Sequence, residues 1–374
     1  MDISQFDDIR PYIDSEVHPA MERIAANPLM DDISKYLFPG NNVATFKNIL
    51  LGCNTIDDFQ KRVMFYVVNK ILSDTSKELT YGGLSNFEDG KKHLIITNHR
   101  DIVLDSAIIQ IILYKHNIQT TEIAVGDNLI TSDFIEDIAR TNKMIKVVRN
   151  TSPREVYVSS QKLSGYIRYN VASDKSSVWI AQRNGRTKDG FDATEQGLLK
   201  MLEMSGSGNF VKDFAELSIM PASISYEYEP CDLLKAVELY ISRRKKYVKA
   251  KNEDLNSILT GIMQFKGNIH IEFTEPVTYQ ELLAAGDLDK NERFKLLASD
   301  IDKRINSTYK LWSNNYIAYD MLHKCTKYAD KYTEEERGSF ENYVAFKLAS
   351  AEADIDELRD IFLSIYANPV ENRG

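Results

Sequence analysis

Residues 94–106 read LIITNHRDIVLDS. An apolar, β-branched run ends at Asn98 and His99, and two acids follow, Asp101 and Asp105. A histidine with a carboxylate to orient its ring and favour its protonated form is what general-base chemistry needs near neutral pH. The same residues admit a plainer role, in which Asn98 or Asp101 caps a helix starting near Ile102 and Asp105 is a solvated residue on its first turn.

Two further stretches place polar groups in the same way. In EIAVGDNLITSDFIEDIARTNKMIKVVRN, 122–150, Gly126, Asp127, Asn128 and Leu129 follow one apolar run and Arg149 ends the next. Either Gly126 serves a tight turn and Arg149 is a surface charge, or Asn128 and Arg149 face a common crevice. In WIAQRNGRTKDGFDATEQGLLKM, 179–201, a run ending at Ala181 leads into Arg183, Asn184, Gly185, Arg186, Thr187 and Lys188, with a helix expected near Ala193. Three cations on a glycine-bearing loop suit a phosphate, because a guanidinium binds its oxygens in pairs; a solvated basic turn is the alternative.

These stretches need strands behind them, and the pattern supplies them. The runs LIIT (94–97), EIAV (122–125), IKVV (145–148), VWIA (178–181), SIMPASIS (218–225) and NIHIEF (268–273) alternate with helical patterns. Such alternation predicts an α/β fold with a mostly parallel mixed sheet flanked by helices. In an open α/β sheet, ligands gather in the crevice at the carboxyl ends of the strands, which is where all three stretches fall. The first eighty residues read as helices broken at Pro28 and at Pro39-Gly40. Within them IDDFQKRVMFYVVNKILSD, 56–74, puts Phe59, Val63, Tyr66, Val67 and Ile71 on one helix face. After Pro276 the chain returns to helices, among them 291–312 and 351–366. The expected organisation is a helical N-terminal cap over 1–80, an α/β core over 81–280 and a helical C-terminal extension over 281–374.

Composition narrows the function. The 374 residues, 43% hydrophobic and 27% charged, suit a soluble globular chain with a sizeable core. Lys plus Arg total 46 against 55 Asp plus Glu, a net charge of −9, which argues against a general nucleic-acid binder. Cys53, Cys231 and Cys325 are far apart, with no Cys-x-x-Cys or Cys/His cluster, so neither a disulfide framework nor a zinc site is expected and a reducing compartment is. The start, MDISQFDDIR, is acidic, and the longest apolar run, AIIQIILY at 107–114, is far short of the roughly 20 residues of a membrane span. The expected location is the cytoplasm, with at most a peripheral contact at the inner face of the membrane.

Four blocks, in order, resemble the glycerolipid acyltransferases, the family of glycerol-3-phosphate and 1-acylglycerol-3-phosphate (lysophosphatidate) acyltransferases. NHRDIVLD is similar to their His-to-Asp block preceded by Asn. GDNLITSDFIEDIARTNKMIKVVRN resembles their Gly-x-Asn-Leu block with its terminal Arg. WIAQRNGRTKDG resembles their Glu-Gly-x-Arg-Ser loop, and IMPASISY, with Pro221, their proline after a short apolar strand. The resemblance covers about residues 90–230. It departs at two points: five residues rather than four separate His99 from Asp105, and Asn184 stands where the family has Glu, in a loop one residue shorter. In an ideal helix one extra residue rotates a side chain by about 100°, so the backbone before Asp105 must bulge or unwind to return it to His99.

The resemblance implies a glycerol-3-phosphate acyltransferase-like fold and acyl transfer from an acyl thioester, acyl-coenzyme A or acyl-acyl carrier protein, to a hydroxyl of glycerol-3-phosphate or 1-acylglycerol-3-phosphate in phospholipid biosynthesis. It implies His99 as base and Asp105 as its orienter, with Asn98, Asn128, Arg149, Arg183, Arg186 and Lys188 on the substrate. No metal or redox cofactor is implied. The alternative is a catalytically weak or inactive lipid- or thioester-binding protein of the same fold, or an acyltransferase for another lipid acceptor. Finally, YISRRKKYVKAK, 240–251, stands out in an acidic chain: a solvated helix face, or a site of contact with an anionic membrane or an acidic carrier protein.

Overall fold

The computed structural model describes residues 3–38, 43–88, 90–149 and 152–373; the Pro39-Gly40 break and the first two residues lie outside them. The strands are β1 (Ser76–Gly82), β2 (Leu94–Thr97), β3 (Glu122–Gly126), β4 (Met144–Val147), β5 (Val178–Ala181), β6 (Ile219–Tyr226) and β7 (Gly267–Phe273). They form one sheet in the order β1-β7-β6-β2-β5-β3-β4. Every pairing is parallel except β6 against β7. The mixed, mostly parallel sheet expected from the sequence is present.

Both faces of the sheet are covered, which is why its central strands read as near-continuous apolar runs. All four residues of β2 and all eight of β6 are buried. Side chains alternate across the pleat. Leu94, Ile96, Val178, Ile180 and Ile219 pack with the helices Pro153–Ala172, Gln196–Glu203 and Lys290–Thr308 on one face. Ile95, Trp179, Met220 and Ile224 pack with the helices Phe65–Thr75 and Leu104–Lys115 on the other. The helix Leu104–Lys115 is buried from Leu104 through Leu113, so LDSAIIQIILYK is apolar around most of its circumference.

Sequence and structure differ in three places. The strand β1 has no run of its own in the pattern, because it is an edge strand paired only with β7 and carries exposed Lys77 and Glu78. The boundary expected between residues 80 and 81 therefore falls inside a strand. The helix expected over 56–74 contains a π-helical turn, Gln60–Met64, between Ile56–Phe59 and Phe65–Thr75. A π turn takes one residue more than an α turn and moves the buried face along by one. Phe59 and Val63 consequently enter the N-terminal helical cluster, Val68 joins Ile71 and Leu72 against the sheet, and Tyr66 is exposed.

The N-terminal helices Asp14–Ala26, Leu29–Leu37 and Val43–Leu51 have a core of their own, which reaches the helix Asp133–Thr141 through half-buried Phe134 and Ile138. Arg23 and the hydroxyl of Tyr12 both bond Asp137 there, at 2.6 and 2.8 Å. The C-terminal helices Ser313–Leu322, Glu334–Leu348 and Ile355–Glu371 close around the helix Asp232–Ser242 in a further cluster. Among the described residues no helix is long and apolar enough to cross a membrane.

Candidate active site

His99 lies just beyond β2, with its side chain 14% exposed. Its Nδ1 is 2.8 Å from Oδ2 of Asp105, whose side chain is fully buried. The backbone between them stays out of the helix, which begins only at Leu104 rather than near Ile102. Asp101 enforces that start: its Oδ1 accepts the amides of Val103 and Leu104 at 2.9 and 2.8 Å, as a cap does. The extra residue in this block is thus absorbed by an irregular turn ahead of the helix.

Asp105 is held by four donors. Besides His99, Oδ2 accepts the amides of Arg100 and Asp101 at 2.6 and 3.0 Å, and Oδ1 accepts the Tyr226 hydroxyl at 2.7 Å. Burial pushes the Asp105 carboxyl up, but its bonds to His99, to the Asp101 amide and to Tyr226 outweigh burial and hold it below the usual carboxylate range. Burial, and then the charge of Asp105, push Asp101 the other way. An ionised Asp105 bonded at Nδ1 fixes the ring and leaves Nε2 for the pocket that His99 lines.

That pocket is built from the ends of β2, β3, β4 and β5. Its wall includes Asn128, Arg149, Trp179, Arg183, Arg186 and Lys188. Two backbone bonds extend the β2–β5 ladder past the strands and bring the cationic loop against His99: Gln182 N donates to Thr97 O, and Thr187 N donates to His99 O, each at 2.8 Å. Trp179 presents its edge to the His99 ring at 5.8 Å and donates Nε1 to Thr97 at 3.1 Å.

The cations are not equivalent. Lys188 is paired with Glu238, and Lys249, which also lines the pocket, with Asp254 at 2.5 Å. Arg149, Arg183 and Arg186 have no carboxylate partner within salt-bridge distance among the described residues. Nε of Arg183 and Nη1 of Arg186 are buried without a hydrogen-bond partner among the described residues. Burial pulls the Arg149 guanidinium below its ordinary range. Guanidiniums that face one cavity with no salt-bridged carboxylate suit an anion. Gly126 makes room for the arrangement, since a Cβ there would sit 2.5 Å from Asn128 Oδ1 and 2.9 Å from Arg149 Nε.

Residues 78–225 match the family described as Acyltransferase. Over this segment, less than half of the chain, the protein is similar to that family. The segment runs from β1 into β6 and contains the His99, Asn128, Arg186 and Pro221 blocks. No curated protein matches the chain. Among solved structures the chain is similar to the 1-acyl-sn-glycerophosphate (LPA) acyltransferase PlsC from Thermotoga maritima, at 11% identity and a TM-score of 0.39, with 76% of this chain and 91% of that one covered.

Within the matched segment, His99, Asn128, Arg149, Arg183, Arg186 and Lys188 line one pocket, with Asp105 behind His99. Asn98 does not reach it. Its side chain is fully buried and spans to β6, donating to Ile224 O at 2.9 Å and accepting from Ile224 N at 2.8 Å. The expectation that Asn98 touches substrate is corrected accordingly: it ties the end of β2 to β6, and turns its amide away from the crevice. Asn184 is exposed, and its amide donates to Glu195 Oε2 at 3.2 Å. The charge of Glu195 also reaches Arg149, so a carboxylate stands at this bend although residue 184 is not one.

Three contributors went unread in the sequence. Tyr226 comes from the end of the IMPASISY strand. Lys249 and Asp254 come from the basic stretch and the helix Glu253–Met263, and Asp254 Oδ2 accepts from Asn128 Nδ2 at 3.2 Å. The C-terminal cluster also grips the cationic loop. Gly190, at φ +86°, leaves no room for a Cβ, which would lie 2.5 Å from Ile365 O. Asn368 and Asn372 donate to the carbonyls of Asp189 and Gly190 at 2.7 and 3.0 Å. Beneath the loop, fully buried Arg100 pairs with Asp192 and Glu229, and Lys235 bonds Glu229 at 2.6 Å and Arg100 O at 2.8 Å. Two cations and two carboxylates balance, as a buried ionic group requires.

Proposed function

We propose that the protein transfers a fatty acyl group from an acyl thioester to a hydroxyl of glycerol-3-phosphate or 1-acylglycerol-3-phosphate. The observation that carries this reading is the pocket that His99 lines together with Arg149, Arg183 and Arg186, guanidiniums with no carboxylate within salt-bridge distance among the described residues.

His99 Nε2 takes the proton of the acceptor hydroxyl as its oxygen attacks the thioester carbonyl carbon. Asp105 holds the imidazole and stabilises its charge, as a carboxylate does in other His–acid pairs. The tetrahedral adduct collapses, the C–S bond breaks, and the proton on His99 passes to the leaving thiolate, giving an ester and a free thiol. The acceptor oxygen is itself the nucleophile, so no enzyme nucleophile takes part. The three arginines hold the acceptor phosphate and orient its hydroxyl, with Asn128 beside them.

A groove next to the arginines suits the acyl chain. Its lining includes Val147, Leu163, Ile180, Leu198 and Met201, and it shares Asn128, Arg149 and Arg183 with the pocket. Each methylene withdrawn from water there contributes about 0.8 kcal/mol.

Calorimetry with glycerol-3-phosphate and with glycerol tests the acceptor assignment. Binding of the phosphate ester that is lost in Arg183→Ala/Arg186→Ala, with glycerol bound far more weakly, supports it. Equal affinity for the two, or binding indifferent to the arginines, refutes it.

A further inference from the structure

The stretch at 240–251 is not a helix face. The helix Asp232–Ser242 ends before its cations, which lie on a connection leading to the helix Glu253–Met263. Structure also sorts those cations. Arg243 and Arg244 reach Glu357, and Lys249 is turned to the pocket and Asp254. Lys245, Lys246 and Lys251 are exposed and have no carboxylate partner among the described residues.

The helix that follows has an apolar outer face. Leu255, Leu259 and Met263 recur every fourth residue and are 54%, 53% and 60% exposed, with Val248 on the connection at 79% and Phe265 beyond the helix at 45%. Residues four apart lie on one helix face, so the three form a stripe. The other exposed members of the helix and its start, Asn252 and Asn256, are uncharged. The acids Glu253 and Asp254 are turned inward, Glu253 to Tyr247 at 2.7 Å and Asp254 to Lys249 and Asn128. An outward face with leucine and methionine but no acid, bordered by free lysines in a chain of net charge −9, suits a surface that is apolar and anionic together.

We infer that the connection 243–252 and the helix Glu253–Met263 form a docking surface for an anionic lipid bilayer, inserting Val248, Leu255, Leu259 and Met263 at the headgroup boundary while Lys245, Lys246 and Lys251 meet lipid phosphates. An acidic carrier protein would engage the lysines but gives no reason for the exposed leucines. The same segment supplies Lys249 and Asp254 to the pocket wall, so docking brings the pocket to the lipid surface. The inference does not depend on the acyl-transfer reading, since it concerns binding without turnover.

Co-sedimentation of the full chain with phosphatidylcholine vesicles, with and without phosphatidylglycerol, tests it. The expected result is partitioning that requires phosphatidylglycerol and falls with salt. Each of Lys245→Gln and Lys246→Gln is expected to weaken it roughly fivefold, and Leu255→Asp/Leu259→Asp by at least about tenfold, with unchanged thermal unfolding because both leucines are exposed. Absence of binding to anionic vesicles, or wild-type binding in the leucine variant, overturns the inference. So does a leucine variant that only turns a dimer into a monomer, or lysine variants that only raise KM for a carrier-borne donor: the surface then belongs to a second copy or to a carrier protein.

Discussion

His99 Nδ1 and Asp105 Oδ2 lie 2.8 Å apart across five intervening residues, because Asp101 delays the helix until Leu104. A regular helix from Ile102 would present Asp105 about one residue's rotation away. The irregular turn is therefore what lets a longer spacing keep the contact.

His99→Ala is expected to lower kcat by roughly 10²–10⁴-fold, the range for loss of a positioned acid-base group, while leaving the fold intact. Asp105→Asn is expected to lower kcat as well and, unlike His99→Ala, to destabilise the protein by roughly 1–3 kcal/mol, because buried donors around it lose a charged acceptor. Chemical denaturation alongside steady-state rates separates the two; equal stability losses contradict these roles.

Asp105 also predicts a pH dependence. Burial raises its carboxyl and its hydrogen bonds lower it further, so its folded value lies below the unfolded one. The stabilisation is then fully present above the ordinary carboxylate range, roughly pH 4, and is lost as pH falls through the lower folded value. The stability gap between wild type and Asp105→Asn is expected to narrow as pH falls from about 4 into stronger acid. A gap that widens as pH falls below about 4 contradicts the assignment.

Much of this was legible in the sequence, for identifiable reasons. Buried central strands leave near-continuous apolar runs, so β2, β5 and β6 stood out, while the edge strand β1 did not because it mixes Lys77 and Glu78 with apolar residues. The π turn at Gln60–Met64 left no mark in a helical pattern. Residues following strand ends, such as His99 and Arg186, were visible because topology puts strand ends together. Tyr226, Lys249 and Asp254 were not, since their approach depends on packing between distant segments. Asn98 misled for the opposite reason: its place in the chain is that of a site residue, yet its amide satisfies the backbone of Ile224.

Arg186→Ala is expected to raise the acceptor KM by tenfold or more with a smaller change in kcat, and Arg186→Lys to recover only part of it, because an ammonium cannot reproduce the paired contacts of a guanidinium. The donor KM should stay close to wild type. An effect confined to the donor KM would move Arg186 off the acceptor phosphate.

Gly126→Ala tests the crowding between Asn128 and Arg149. The backbone at Gly126 is ordinary, φ −63°, so the methyl group introduces no strain there. It does collide with Asn128 Oδ1 and Arg149 Nε. The expected outcome is a raised acceptor KM with thermal stability nearly unchanged; unaltered kinetics would mean that Arg149 does not hold the acceptor.

The most direct measurement is thiol release from a long-chain acyl thioester, offered as the coenzyme A and the carrier-protein form, with glycerol-3-phosphate or 1-acylglycerol-3-phosphate as acceptor, for wild type and His99→Ala side by side. Acceptor-dependent thiol release is expected with at least one pairing of donor and acceptor, with the ester as product, and is expected to be lost in His99→Ala. Undiminished release in the His99 variant, or no release from wild type with any pairing, would contradict the acyl-transfer reading.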